Sequence, residues 1–325
     1  MPKLKLALYW SASCGGCDVA VLDINEKILD VAEMADIVLW PVAMDFKYKD
    51  IEAMKDRSID VCLFNGAVRN SEQEEIAKLL RAKSKVMVAF GACACFGGIP
   101  ALANFTNRTS IFERAYVEAP SNDNPERVFP QVKTDVPEGE LELPEFYEVV
   151  LALHQVVDVE YFVPGCPPPV DLILEFVDKL KSGQLPSPVA VLAKEKSLCD
   201  ECPRKKEEKK ITQIVRPHQL IADPERCLLE QGLICLGPAT RGGCGARCIQ
   251  ANMPCRGCFG PMAEVVDQGA KMLGAVASIY QAETEEEVEQ MKKELVDPAG
   301  TFYRFGGSAG LLQQKRIQEV RRGAK

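Results

Sequence analysis

Twelve of the fourteen cysteines in this 325-residue chain fall into three sets of four, and no other feature limits the fold as much. The first set is Cys14, Cys17, Cys93 and Cys166, carried by C-x-x-C, G-A-C and P-G-C-P-P segments. The second is Cys199, Cys202, Cys227 and Cys235; the third is Cys244, Cys248, Cys255 and Cys258. Four thiolates per site is what an iron–sulfur cluster or a structural zinc requires. The first set is spread over half the chain, so only a fold that gathers distant segments can bring it together.

Composition narrows the setting. Hydrophobic residues make up 47% and charged residues 26%, which is a globular balance. Net charge is −8, so no dominant basic field exists to neutralise phosphates, and a nucleic-acid partner is excluded. The opening Met-Pro-Lys-Leu-Lys-Leu-Ala-Leu-Tyr-Trp has too short an apolar run for export and reads as a strand. No later run is long enough to span a bilayer. These features predict a cytoplasmic protein without a membrane partner, in a reducing compartment where clustered cysteines bind metal rather than each other.

The first half alternates between strand and helix patterns. Strands are expected at Leu4–Tyr9, Ile37–Val42, Val61–Asn65, Val86–Phe90 and Glu160–Val163. Helices are expected over Asp18–Met34, near Ile51–Lys55, over Ser71–Arg81, around Phe146–Val156 and over Pro169–Lys181. Ser71 and Glu74 carry a capping-box pattern. This rhythm predicts an α/β fold, a doubly wound parallel sheet covered on both faces. Asn104–Leu143 has no clear period and reads as a long surface excursion. Gln184-Leu185-Pro186-Ser187-Pro188 reads as a linker, which divides the chain into residues 1–185 and 186–325. The second part is irregular around its eight cysteines and is expected to need metal in place of a conventional core. Helices are expected there at Ala263–Leu273 and at Glu285–Leu295, the latter capped by Thr284 with Glu287.

All segments of the first set follow predicted strands, and in a doubly wound sheet those ends converge on one edge, the usual ligand crevice. Gly15, Gly16, Gly91, Gly97, Gly98 and Gly165 allow close backbone approach and supply N–H donors to sulfur. Cys14-Gly15-Gly16-Cys17, Gly91-Ala92-Cys93-Ala94-Cys95-Phe96-Gly97-Gly98 and Pro164-Gly165-Cys166-Pro167-Pro168 resemble the small subunit of nickel–iron hydrogenases. The resemblance runs from about Leu4 to Cys258. It implies a flavodoxin-like domain in residues 1–185 holding a proximal 4Fe–4S cluster on Cys14, Cys17, Cys93 and Cys166. It implies an iron–sulfur domain in residues 186–325, with a medial cluster on Cys244, Cys248, Cys255 and Cys258 and a distal one on Cys199, Cys202, Cys227 and Cys235. How the eight later cysteines divide is left open by spacing alone. Cys199 stands where many members of that family have His, and Cys248 supplies a fourth thiol where several have three. Both substitutions imply three all-cysteine 4Fe–4S clusters.

The pattern is most similar to the cytoplasmic methanogen-type, coenzyme-F420-non-reducing hydrogenases. The nickel–iron centre would then lie in a partner large subunit, and electrons would leave through an iron–sulfur adaptor to heterodisulfide reductase. Arg241-Gly242-Gly243-Cys244 only superficially matches a nickel-binding motif, and the last residues, from Gly306 on, hold no cysteine. Rival readings are a deazaflavin-reducing relative, a relay subunit of a complex I-like enzyme and a zinc-stabilised interaction protein. Cys62 and Cys95 read as small core residues. His154 reads as structural. His218 could donate a hydrogen bond to sulfur of the second set, and Asp18 suits the start of the first helix, with a proton relay at the subunit boundary as the alternative reading.

Overall fold

The computed structural model describes residues 3–207 and 210–313. Its centre is a six-stranded sheet built from β1 (Leu4–Trp10), β2 (Ala35–Leu39), β3 (Ile59–Asn65), β4 (Ser84–Phe90), β5 (Tyr161–Val163) and β6 (Ala190–Val191). The order across the sheet is β6-β5-β4-β3-β1-β2, and every pairing is parallel. This is the doubly wound, flavodoxin-like order, with its switch between β1 and β3. Registers such as Ala7↔Cys62 and Phe64↔Ala89 hold the central strands level, so their carboxyl ends finish side by side.

Side-chain alternation along the strands produces two cores. Ala7, Tyr9, Cys62, Phe64, Met87 and Ala89 face one layer. Leu8, Val61, Leu63, Val88 and Phe90 face the other. Helix Ser71–Lys83 covers the first face with Ile76, Ala77 and Leu80. Helix Val170–Ser182 covers the second with Leu172, Ile173 and Phe176, and Gly183 stops it at φ 67° with its N–H on Leu180 O. Phe64 is 0% exposed at the centre. Truncating it to alanine removes most of an aromatic side chain from a close-packed interior, and should cost about 3–5 kcal/mol. A urea midpoint that moved by less than a quarter of the equivalent shift would contradict that packing.

Several elements differ from expectation. Asp18–Met34 is two helices, Gly16–Leu22 and Ile28–Met34, separated by a turn at Asn25 with φ 54°. The cap of helix Ser71–Lys83 is Asn70, which accepts from Gln73 N at 2.9 Å, while the Ser71 hydroxyl accepts from Glu145 N. Phe146–Leu151 is a strand, paired antiparallel to Val68–Asn70. Its Phe146, Val149, Val150 and Leu153 imitate helical spacing, but β-branched Val149 and Val150 suit an extended chain. Asn104 completes that strand by donating to Val150 O and accepting from Val150 N. The excursion after Asn104 contains helix Arg108–Tyr116 and the hairpin Lys133–Val136/Gly139–Glu142. Neither buries residues fully, which explains their weak patterns. Past the proline-rich stretch at 184–188, β6 returns to pair with β5.

The cysteine-rich half does possess an apolar core, contrary to the reading of its sequence. Leu198, Ile211, Leu228, Leu233, Ile249, Met272 and Phe302 are buried together with Cys235 and Cys255. Leu198, Ile211, Leu228 and Leu233 come from turns and short 3₁₀ segments and Ile249 and Phe302 from helices of four and five residues, so only Met272 sits in an element long enough to show a period. Helix Gln268–Ile279 is capped by Asp267, whose carboxylate accepts from Ala270 N, and begins five residues beyond the expected Ala263. Helix Glu285–Glu294 carries the expected Thr284/Glu287 capping box. No helix among the described residues is long and apolar enough to cross a membrane.

Candidate metal centre

The carboxyl ends of β1, β4 and β5 meet, and with them the first four cysteines. Cys14 and Cys17 follow β1, with Cys17 on the first turn of helix Gly16–Leu22; Cys93 lies on the short helix Ala92–Phe96 after β4. The two following loops are tied directly, Gly91 N to Val163 O at 2.8 Å and Ala92 N to Gly165 O at 2.7 Å. Gly16 N donates to Cys14 Sγ at 3.4 Å, and the Ile99 amide donates to Cys93 Sγ. Cys14 and Cys166 are exposed; Cys17 and Cys93 are buried. Burial, then the charges of Cys93, Cys166, Asp18 and Cys14, hold the Cys17 thiol well above its ordinary range. Cys93 is pushed up to about 12 by burial and by Cys166. Cys17, Cys93 and Cys166 thus resist ionising together, and a bound cation removes that resistance.

The later cysteines gather in the same way. Burial, then Cys235, raises Cys199 to about 12, with Cys227 and Cys202 adding to it. Burial raises Cys235 to about 11 against the amides of Gly237 and Cys255. A Cβ on Gly237 would lie 3.2 Å from Cys199 Sγ and 3.7 Å from Cys235 Sγ. In the third set, Cys244 accepts from the Ala246 and Arg247 amides, and Cys255 from the Gly257 amide. Cys258 is raised to about 12 by burial, then by Cys166, Cys244 and Cys248. Cys166, Cys244, Cys248, Cys255 and Cys258 together line a cavity of about 480 Å³. Among the described residues no three His, Cys, Asp or Glu side chains close on a point as a single-ion site does. The donor chemistry fits iron–sulfur ligation: thiols in fours, amides aimed at sulfur, and glycines where a Cβ would strike it.

Two contacts link the sets. Cys166 and Cys258 line the same cavity, and the Cys166 charge helps to raise the Cys258 thiol. The Cys255 amide donates to Cys235 Sγ at 3.3 Å. The third set therefore stands between the first and the second, although it comes last in the chain.

The remaining candidates lie outside these groups. Cys62 is fully buried in β3, and Cys95 donates its thiol proton to Ala89 O behind the first set. His154 sits edge-on to Phe162, with ring centroids 5.7 Å apart. His218 is exposed and shares a groove with Arg216 and Arg256. Asp18 is buried and accepts from Trp40 and Asn65.

Sequence reasoning missed the brace beneath Cys93. Phe305 O accepts from Gly98 N, Phe305 enters the core of the first sheet face, and Ser308 Oγ donates to Val150 O at 2.6 Å. A Cβ on Gly97 would lie 2.3 Å from Ser308 Oγ. The Gly306-Gly307 pair was the available signal, since a Cβ on Gly307 would lie 2.6 Å from Ala101 O.

The sheet order and the cysteine-bearing edge define a class. The family of the NADH ubiquinone oxidoreductase 20 Kd subunit matches residues 14–180. The iron-sulfur subunit of the F420-non-reducing hydrogenase of Archaeoglobus profundus is 41% identical over 318 residues, covering 96% of this chain and 98% of that protein. An F420-non-reducing hydrogenase subunit of Methanothermobacter thermautotrophicus is 40% identical over 322 residues, 98% of each. In fold, the chain matches the NiFeSe hydrogenase of Desulfovibrio vulgaris Hildenborough with a TM-score of 0.51 at 17% identity, over 87% of this chain and 99% of that one. The chain belongs to the family of F420-non-reducing nickel–iron hydrogenase small subunits, and so to an oxidoreductase acting on hydrogen.

Proposed function

We propose that the chain carries electrons from hydrogen oxidation in a partner large subunit, through three 4Fe–4S clusters, to an iron–sulfur adaptor and heterodisulfide reductase in the cytoplasm. The observation that carries this reading is the series arrangement of the three sets: Cys166 and Cys258 line one cavity, and the Cys255 amide donates to Cys235 Sγ. Cys14, Cys17, Cys93 and Cys166 would hold the first cluster, Cys244, Cys248, Cys255 and Cys258 the second, and Cys199, Cys202, Cys227 and Cys235 the last. Each cluster supplies one-electron storage when bound. The protein's share is spacing, burial and hydrogen bonding to sulfur.

The exposure of Cys14 and Cys166 supports arrival at the first set from outside the chain. Trp10 and Ile99 are also exposed beside that edge, at 43% and 44%, and offer an apolar rim to the large subunit. A division of the chain belongs to the same proposal, set later than the expected residue 185 because Ala190–Val191 still pairs into the first sheet: a flavodoxin-like part holding the first cluster, and a cysteine-rich part beyond it holding the other two.

Metal and sulfide analysis of the purified complex tests the reading. About twelve iron and twelve acid-labile sulfide per chain are expected from three cubanes. Three zinc without sulfide would overturn it. Co-purification with a nickel-containing large subunit should accompany the iron.

A further inference from the structure

Behind Cys17 lies a carboxylate with no cationic partner. Asp18 is 6% exposed, and its Oδ1 accepts from Trp40 Nε1 at 2.9 Å while its Oδ2 accepts from Asn65 Nδ2 at 2.5 Å. Both donors are neutral, and among the described residues Asp18 forms no ion pair. Asn65 also accepts from Ser13 Oγ through its Oδ1 at 3.1 Å, and its backbone oxygen accepts from Ser11 N at 2.7 Å. Asn65 ends β3 and Trp40 follows β2. The ends of the two strands that flank β1 therefore hold the Cys14–Cys17 loop, at Ser13 and at Asp18.

Burying a carboxylate costs several kcal/mol unless it is well hydrogen-bonded. A residue needed only to start a helix could be Ser or Asn, with its side chain in water. Here the acid is turned inward on the residue that follows Cys17, and its charge is among those that act on the Cys17 thiol.

We propose that Asp18 is a positioning residue that places a fixed negative charge against Cys17 and so lowers the reduction potential of the first cluster. This rests on the proposal that Cys14, Cys17, Cys93 and Cys166 hold an iron–sulfur cluster. An added electron raises the negative charge at the cluster, and a nearby carboxylate opposes it through a poorly screening interior. The neutral donors fix the carboxylate in place, and their N–H dipoles offset its charge only in part. The first site is thereby made the readier electron donor toward Cys258 and the third set.

The test uses the assembled complex, with iron content measured first and the cluster midpoint then read by spectroscopic redox titration. Asp18→Asn is nearly isosteric, and an amide flip of Asn65 restores a donor–acceptor match. Full iron with at least a tenfold easier reduction, an upward shift of about 59 mV for one electron, is the expected result. Trp40→Phe removes one donor but keeps the charge, so its midpoint should move downward. An unmoved midpoint in Asp18→Asn at full iron overturns the proposal. If Asp18→Asn fails to hold iron, Trp40→Phe decides: a midpoint that is unmoved or rises overturns it, and a fall supports it. Absence of iron from the unaltered complex would instead sink the cluster reading itself.

Discussion

Replacing Cys166 with serine is expected to lower hydrogen-driven dye reduction by the complex by more than about 100-fold, beyond what losing a supporting outer group costs a metal site. Cys166 is exposed at the open side of the first set, and its ionisation is opposed by burial and then by Cys14. A serine hydroxyl has a far higher pKa and is a harder donor than thiolate, so it binds iron poorly. The backbone is another matter. The third set's amide contact to the second, Cys255 N to Cys235 Sγ, does not involve residue 166 and is kept. Iron should fall from about twelve to about eight per chain, with the remaining clusters spectroscopically intact. Cys62→Ser is the control: its thiol is buried in β3 within the first core, and its loss should leave iron unchanged. Undiminished dye reduction with full iron in Cys166→Ser would remove the first set from the electron path.

The sheet was legible because parallel strands are buried on both faces and read as apolar runs. Val61–Phe64 and Val86–Phe90 need no partner information to be recognised. The first cysteine set followed from them, since three predicted strand ends had to converge. Phe146–Leu151 misled because short apolar runs fit either period, and its antiparallel partner Val68–Asn70 is only three residues long. In the second half, spacing leaves the pairing of eight cysteines open, and a core assembled from turns has no period to read. The Asn65–Asp18–Trp40 contacts were hidden for a similar reason. They join polar residues at strand ends 22 and 47 positions from Asp18, and only the fold brings them together.

Gly91→Ala should empty the first site without removing any sulfur. Gly91 has φ 86° and ψ 161°, a region essentially reserved for glycine where an L-residue costs about 1–3 kcal/mol, so some loss of stability is expected from backbone strain alone. The larger effect is steric. A Cβ there would lie 2.3 Å from Cys17 Sγ, far inside contact distance. Relief by moving Gly91 is opposed by its N–H bond to Val163 O and by the adjacent bond from Ala92 N to Gly165 O. Relief by moving Cys17 is opposed by its neighbour Asp18, held by Trp40 and Asn65. Four sulfurs then cannot face one cluster, and iron should again fall from about twelve to about eight. Gly139→Ala separates strain from collision: its φ is 140°, yet nothing lies within 4 Å of the added Cβ on the exposed hairpin. That variant should keep its iron. If Gly91→Ala also keeps its full iron and the spectrum of the first cluster, then Cys17 is not held where a ligand must be.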